Sequence, residues 1–396
     1  MPASMLTLEE AQTQLARIVT PTGLETIPVR DASGRYSAAD VLAKRTQPPA
    51  DLSAMDGFAV AGAGPWTIVG ESRCGAPFAG SIAEGQATRI STGAVMPNGA
   101  EGVLIKENAE LSGDDLIAQE PVAPGNHIRR KGFDFAQGAR LRAKGERIGP
   151  AGLALLLAGG ICEVTVHTRP LVTIFECGDE LAEAEATSNI GTIPASNGAM
   201  LAAMCRTEAC TVATPPPLPD RLDAIARAID DARDSDLIIV SGGASVGDHD
   251  LVRPALEEFG ASIDFWRVAM KPGKPLMAAK RGRQLILGLP GNPVSSYVTG
   301  YLFALPAIRA MLGATAIAPQ CIHLPAGDDL PAVGARREFV RARLEPSGPV
   351  PLDQQDSSGL AALAAADCLI ERPEGCAGVK AGTPVPVYLL GNGGIA

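Results

Sequence analysis

Apolar residues recur along the chain in more than one rhythm, and each change of rhythm marks a change of architecture. Leu8, Ala11, Leu15 and Ile18 follow one another at helical spacing, and Thr7 with Glu10 forms a capping-box pattern ahead of them. This predicts an amphipathic opening helix of about four turns. Residues 26–29 read as a short strand. From about residue 45 to 135, short apolar runs such as Phe58-Ala59-Val60, residues 66–69 and residues 102–105 sit between clusters of Gly, Pro, Asn and Asp. Short strands separated by turns predict a small β domain, barrel-like or a sandwich. Pro150 then opens a helix over 151–158, stopped by Gly159-Gly160.

Beyond residue 166, apolar strands alternate with helices. Residues 171–175, 237–240, 263–268 and 285–287 read as strands. Helices are expected from Asn197 through Cys205, over 251–259, and as a long segment from Pro293. Another helix, capped by Asp220, carries Leu222, Ile225, Ala226 and Ile229 on one face. This alternation predicts a doubly wound α/β sheet. After Leu312 the helical signal fades into a Pro-rich pattern with strands at 339–344 and 385–390, which predicts a C-terminal β domain. The expected organisation is multi-domain α/β plus β. An N-terminal helix (1–19) packs on the α/β domain (166–312), and a linking domain is formed by 20–44 with 137–165. A β domain spans 45–136, and a C-terminal β domain spans 313–396.

Composition narrows the function. Of 396 residues, 46% are apolar but only 4% aromatic, so the cores must be largely aliphatic. The net charge of −10 argues against a nucleic-acid partner. Within that acidic chain, basic groups cluster at Arg129-Arg130-Lys131, at Lys271 with Lys274, and at Arg336-Arg337, which suits a compact anion. The 8 cysteines lack CxxC spacing and the 4 histidines lack metal-ligand spacing. Free thiols in a reducing compartment, without structural zinc, are expected. The N-terminus lacks the features of a secretory signal, and the longest apolar stretch, near 152–162, is about half the length that spans a bilayer. A soluble, cytoplasmic protein with no membrane partner is expected.

Ligands of doubly wound sheets bind beyond the carboxyl ends of the strands, which singles out three sets of loops. The first contains Asp179 and Glu180, adjacent acids able to ligate a hard cation or serve as acid and base; Asp179 also suits a helix cap. The second runs Ser241-Gly242-Gly243-Ala244-Ser245-Val246-Gly247-Asp248-His249-Asp250. Its glycines allow backbone N–H groups to converge on a phosphate, and Asp248 and Asp250 are placed to hold Mg²⁺ against it. It matches neither a Walker A nor a Rossmann fingerprint. The third comprises Lys271-Pro272-Gly273-Lys274-Pro275 and Leu289-Pro290-Gly291-Asn292-Pro293. There prolines stiffen the backbone, lysines offer fixed charges to an oxyanion, and Asn292 and Pro293 suit the N-cap and N1 positions of a helix.

Together these loops resemble the molybdopterin molybdenumtransferase family, the MoeA type that includes the E domain of gephyrin. The resemblance also takes in Ser53-Ala54-Met55-Asp56-Gly57-Phe58-Ala59, Ser91-Thr92-Gly93-Ala94 with Pro97, Ile128-Arg129-Arg130 with Asp134, and Ser196-Asn197. It implies insertion of molybdate into adenylylated molybdopterin, with AMP released and Mg²⁺ required. It also implies a homodimer, with Asp56 reaching the site of the neighbouring subunit. Matching by motif makes Asp56, Asp134, Glu180, Asp250 and Lys271 catalytic, and Asp179, Glu180, Asp248 and Asp250 metal ligands. Substrate contacts fall on Thr92, Ser241, Gly242, Gly243, Ser245, Gly247, Lys274, Pro290, Gly291 and Asn292. A weaker match adds Arg337 and Ser358 to the molybdate pocket. The implied partners are a molybdopterin adenylyltransferase and molybdoenzyme maturation proteins. The alternatives are the adenylyltransferase activity itself and a gephyrin-like scaffold. The chain departs from the family at Cys177, usually threonine, Phe133, usually glutamate, and Glu101, usually aspartate. The change at Phe133 leaves the role of the Asp134 loop open.

Overall fold

A computed structural model describes residues 5–113, 115–183, 190–243, 251–258 and 260–391. The opening helix α1 (Leu8–Ile18) has the expected capping box. Thr7 Oγ accepts the Glu10 N–H at 3.2 Å, and the Glu10 carboxylate accepts the Thr7 N–H at 2.8 Å. Its 11 residues make about three turns rather than four. Leu8, Ala11 and Leu15 are buried in the core of the α/β domain.

The chain then leaves through β1 (Leu24–Pro28) and β2 (Val41–Leu42). Eight strands follow: β3 (Leu52–Ser53), β4 (Gly57–Val60), β5 (Trp66–Ser72), β6 (Gln86–Ile90), β7 (Gly102–Ile105), β8 (Ala109–Ser112), β9 (Asp115–Ala118) and β10 (Ile128–Arg129). Six of these form one sheet in the order β7-β4-β6-β5-β9-β8, with separate apolar clusters around Trp66 and around Met96. The other two, β3 and β10, pair with each other in a separate two-stranded sheet. β11 (Arg140–Arg142) returns beside β2, helix α2 spans Pro150–Ala158, and β12 (Glu163–His167) pairs with β1. Gly159 and Gly160 end α2 as expected, the latter with φ +81°.

The α/β domain is built from β13 (Leu171–Glu176), two short strands β14 (Leu181–Ala182) and β15 (Ile193–Pro194), α3 (Asn197–Cys205), β16 (Thr211–Ala213), α4 (Leu222–Asp231) and β17 (Leu237–Ser241). It continues with α5 (Val252–Glu258), β18 (Ser262–Trp266), β19 (Met270–Lys271), β20 (Met277–Arg281), β21 (Gln284–Leu289), α6 (Pro293–Thr299) and α7 (Leu305–Met311). The main sheet runs β16-β13-β17-β21-β20-β18. Both of its faces are covered: in β17, Leu237 and Ile239 join one core cluster while Ile238 and Val240 join another. β20 pairs antiparallel with β21 and has no counterpart in the sequence reading, because Met277-Ala278-Ala279-Lys280-Arg281 lacks β-branched and aromatic residues.

The long helix from Pro293 widens into a π-helical turn over Gly300–Ala304 before α7. Pro306 lacks the N–H that an α-helix would direct to the Leu302 carbonyl. That carbonyl instead accepts the side-chain amide of Gln12 at 3.1 Å, so a break in one helix becomes the docking point of α1. The C-terminal domain adds β22 (Cys321–Pro325), β23 (Arg337–Glu345), β24 (Gly348–Pro351), α8 (Leu360–Ala364), β25 (Cys368–Arg372) and β26 (Pro384–Leu389). The strands match the expectation of a β domain, whereas α8 was not foreseen. One strand of its sheet is borrowed: β19, from the α/β domain, pairs parallel with β23.

Candidate functional site

β13, β17 and β21 end level with one another, because Glu176 pairs with Ser241 and Ser241 with Leu289. The loops that follow them therefore open side by side. Between them lies a cavity of about 680 Å³, whose walls include Glu180, Asn197, Asp220, Gly243 and Ser358. Gly242 adopts φ +92°, and a Cβ there would stand 2.3 Å from the Cys177 carbonyl oxygen. Only glycine lets these two loops approach so closely. The Gly242 N–H is directed to Leu289 O at 3.1 Å, so it closes the sheet edge instead of facing a phosphate.

A polar network ties the three loops together. The buried Glu176 carboxylate accepts the Asn197 N–H at 3.0 Å. Burial raises the Glu176 pKa, against the pull of N–H groups from Gly198 and Asn197. Asn197 Nδ2 donates to Gly291 O at 2.7 Å and to Ser241 Oγ at 3.1 Å, and Ser241 Oγ lies 3.1 Å from Ser296 Oγ. Burial pushes the Cys177 thiol up to about 12, with Asp220 and Glu176 adding to the effect. Cys177 is therefore a neutral wall of the cavity at physiological pH.

A second cavity, of about 370 Å³, adjoins the first and shares Pro275, Pro290 and Asn292 with it. It is lined by Lys271, Lys274, Arg336, Glu338 and Asp356, among others. Lys271 Nζ donates to Glu338 at 3.0 Å. One wall is the loop of residues 352–359 from the C-terminal domain, and it is held by Arg341. This arginine is 1% exposed and donates through Nη2 to the carbonyls of Gln354 at 2.8 Å and Asp356 at 3.0 Å. Its Nε and Nη1 are buried without a protein partner, and burial lowers its pKa. The sequence reading missed Arg341, an arginine in a strand whose neighbours gave no sign that its charge would be enclosed.

Several expected roles shift. Arg337 does not line either cavity; Glu9, Glu371 and Glu374 engage its guanidinium instead. The arginine at the second cavity is its neighbour Arg336. Ser358 lines the first cavity, not the second, and donates its hydroxyl to Asp356 at 2.5 Å. Asp179 accepts the Asp220 N–H at 3.0 Å and does not line the larger cavity, whereas Glu180 and Asp220 do. Asp220, expected as a helix cap, caps nothing: the N-cap of α4 is Arg221. Ser245, Gly247, Asp248 and Asp250 lie outside the described residues. Among the described residues no group of three or more His, Cys, Asp or Glu side chains is arranged to hold a metal.

Three motifs of the β domain meet at one edge of it. β3 pairs with β10, the Ser53 N–H donates to Ala94 O at 2.9 Å, and the Thr92 N–H donates to Asp56 Oδ1 at 2.6 Å. That last bond holds the exposed Asp56 carboxyl below the usual carboxylate range, with Lys106 adding a smaller pull. Asp51, which the sequence reading passed over, accepts from the Lys131 N–H at 2.8 Å and from Arg130 at 2.6 Å. The Asp134 N–H donates to Gln47 O at 3.1 Å, and the adjacent Phe133 is 75% exposed. Asp56, Thr92 and Asp134 line neither cavity.

Comparison with known proteins covers these same segments. Residues 6–160 match the MoeA N-terminal region (domains I and II), 173–310 a probable molybdopterin binding domain, and 323–390 the MoeA C-terminal region (domain IV). A molybdopterin molybdenumtransferase of Haemophilus influenzae is 34% identical over 317 residues, 78% of each chain. One from Staphylococcus aureus is 30% identical over 379 residues, covering 92% of this chain and 90% of its own. The crystal structure of a molybdopterin biosynthesis MoeA protein from Pyrococcus horikoshii superposes with a TM-score of 0.83 at 26% identity, covering 98% of this chain and 100% of that one. With its three regions matched in order and its loops converging on two joined cavities, this chain belongs to the MoeA family.

Proposed function

We infer that the chain is a molybdenum transferase of molybdenum cofactor biosynthesis, one that inserts molybdate into adenylylated molybdopterin and releases AMP. The observation that carries this reading is the adjacency of two unlike cavities across Pro275, Pro290 and Asn292. The larger has the volume and polar walls for a pterin with its phosphate; the smaller has the cations for a tetrahedral dianion. A dithiolene seated in the larger cavity and an oxyanion in the smaller would meet at the shared wall, and such proximity would supply much of the catalysis.

Within this reading, Lys271, Lys274 and Arg336 attract and orient molybdate. Glu180 and Asp220 offer carboxylate oxygens to the larger cavity, a donor type that suits a hard cation such as Mg²⁺. Mg²⁺ bound there would neutralise charge on the substrate phosphates. Asp250 and Asp248 join this set by motif. Asp56, Thr92 and Asp134 complete the site from the partner subunit of a homodimer, because they lie outside both cavities of their own chain. Incubating the protein with adenylylated molybdopterin, molybdate and Mg²⁺ tests the reading, with AMP release as the expected result. ATP consumption with molybdopterin alone would indicate the adenylyltransferase activity instead. Neither activity would leave a scaffold.

A further inference from the structure

The smaller cavity faces an anion yet contains acids. Its described walls hold three cations, Lys271, Lys274 and Arg336, against two carboxylates, Glu338 and Asp356. One net positive charge remains, half of what would balance a dianion such as molybdate. The two acids differ in what they do. Asp356 is engaged inside its own loop, accepting the Ser358 N–H at 2.9 Å and the Ser358 hydroxyl at 2.5 Å. Glu338 instead accepts from Lys271 Nζ at 3.0 Å. The backbone enforces this pairing: Lys271 and Glu338 are register partners in the parallel ladder between β19 and β23, so their side chains leave the sheet together.

We propose that Glu338 is the resting counter-ion of the oxyanion cavity, holding Lys271 until an incoming dianion displaces it and thereby setting how tightly the cavity takes tetrahedral anions. The proposal rests on the assignment of this cavity to molybdate. Lys271 is 54% and Glu338 28% exposed, and ion pairs of such exposure are weak enough to exchange partners. A dianion bound at the lysine then meets the displaced carboxylate as a like charge. Glu338 therefore lowers affinity for molybdate and sulfate alike. It keeps the empty cavity from retaining a common anion, and it leaves molybdate loosely enough held to be handed to the dithiolene.

Titration calorimetry of the full-length protein with molybdate, and separately with sulfate, tests this in the wild type, Glu338→Gln and Lys271→Ala. Glu338→Gln keeps the side chain's shape and removes its charge, so both anions should bind roughly five- to tenfold more tightly. A residue with a merely structural role would not tighten binding on substitution. Lys271→Ala should weaken both by about tenfold or more. If Lys271→Ala weakens binding while Glu338→Gln leaves it unchanged or weaker, the counter-ion role is overturned and the cavity assignment stands. If Lys271→Ala binds molybdate like the wild type, the cavity assignment itself fails and the proposal falls with it. Glu338→Ala serves as the second variant: the same gain is expected, and a loss of affinity at an unchanged melting temperature counts against the proposal.

Discussion

Asn292 donates its side-chain amide to Ser357 Oγ at 2.8 Å, and this bond joins the α/β domain to the C-terminal domain where the two cavities meet. Asn292 occupies the N-cap position of α6 but makes no side-chain capping bond there. The Val294 N–H of that helix is satisfied from the other domain, by Ser357 O at 3.1 Å. A residue suited by sequence to cap its own helix thus positions a neighbouring loop.

Asn292→Ala and Ser357→Ala should therefore disturb the site more than the fold. A neutral, exposed hydrogen bond contributes about 1 kcal/mol, so the melting temperature should fall by only about 1–2 °C. Molybdate-dependent AMP release should fall by roughly tenfold, because small displacements of a positioned group are costly to catalysis. The double variant should be no worse than either single one, since both remove the same bond. Losses that multiply in the double variant would show that the two residues act separately.

Glu180 and Asp220 face the larger cavity from neighbouring loops and make no contribution to the core clusters. Glu180→Gln and Asp220→Asn should each cut AMP release by about a hundredfold or more, as expected for groups that act on charge developing in the reaction. Thermal unfolding should be unchanged within about 0.5 kcal/mol, the usual range for surface substitutions. The hypothesis that these acids hold Mg²⁺ adds a readout: the Mg²⁺ concentration for half-maximal rate should rise in both variants. If the rate falls but the Mg²⁺ dependence stays fixed, the acids work without the ion.

Much of this site was legible in the sequence, and the misses share a cause. The loops after β13, β17 and β21, the bounds of α3 and the strand-helix alternation follow from local pattern, which local residues fix. Arg337 and Arg336 are adjacent, and carboxylates brought by other segments, Glu9 of α1 with Glu371 and Glu374, engage the first and leave the second at the cavity. A polar residue ahead of a helix usually caps it, but Asp220 precedes the N-cap Arg221 and its backbone is held by Asp179. The charge of Arg341 is enclosed by a loop more than ten positions away along the chain. Each miss concerns a contact between segments separated along the chain, which spacing within one segment does not encode.

Alkaline pH should destabilise the protein through its buried thiols. Burial raises Cys177 and Cys368 to about 12 and Cys210 to about 11, and it raises Cys205 as well. In the unfolded chain these thiols ionise near 9, whereas in the native chain they stay protonated. The unfolded state therefore binds fewer protons above that pH, and stability falls as pH rises from about 9 toward 11–12. The limiting slope is about 1.4 kcal/mol per pH unit for each such thiol. Tyr36 and Tyr297, raised to about 12, act in the same direction at higher pH. Urea midpoints measured from pH 8 to 10.5 should decline, and more gently in Cys177→Ala and Cys368→Ala. Equal slopes in wild type and variants would assign the decline to other groups.

Asp56 and Thr92 are bonded to each other in the β domain, which also carries Asp134, whereas the described residues lining both cavities all belong to the α/β and C-terminal domains. If all of them serve one reaction, the missing groups must arrive from a second chain, and two-fold pairing is the commonest way to deliver them. Asp56→Asn and Glu180→Gln should each be inactive alone and should complement when mixed under conditions of subunit exchange. In a heterodimer of the two, one site pairs an intact Glu180 with the partner's intact Asp56, and the other site has neither. Random exchange makes half the dimers mixed, so about a quarter of wild-type activity should return. Exchange itself is followed by tagging one variant and recovering the other with it. If mixed dimers are recovered and remain inactive, Asp56 and Glu180 act within a single chain and the shared-site homodimer is wrong.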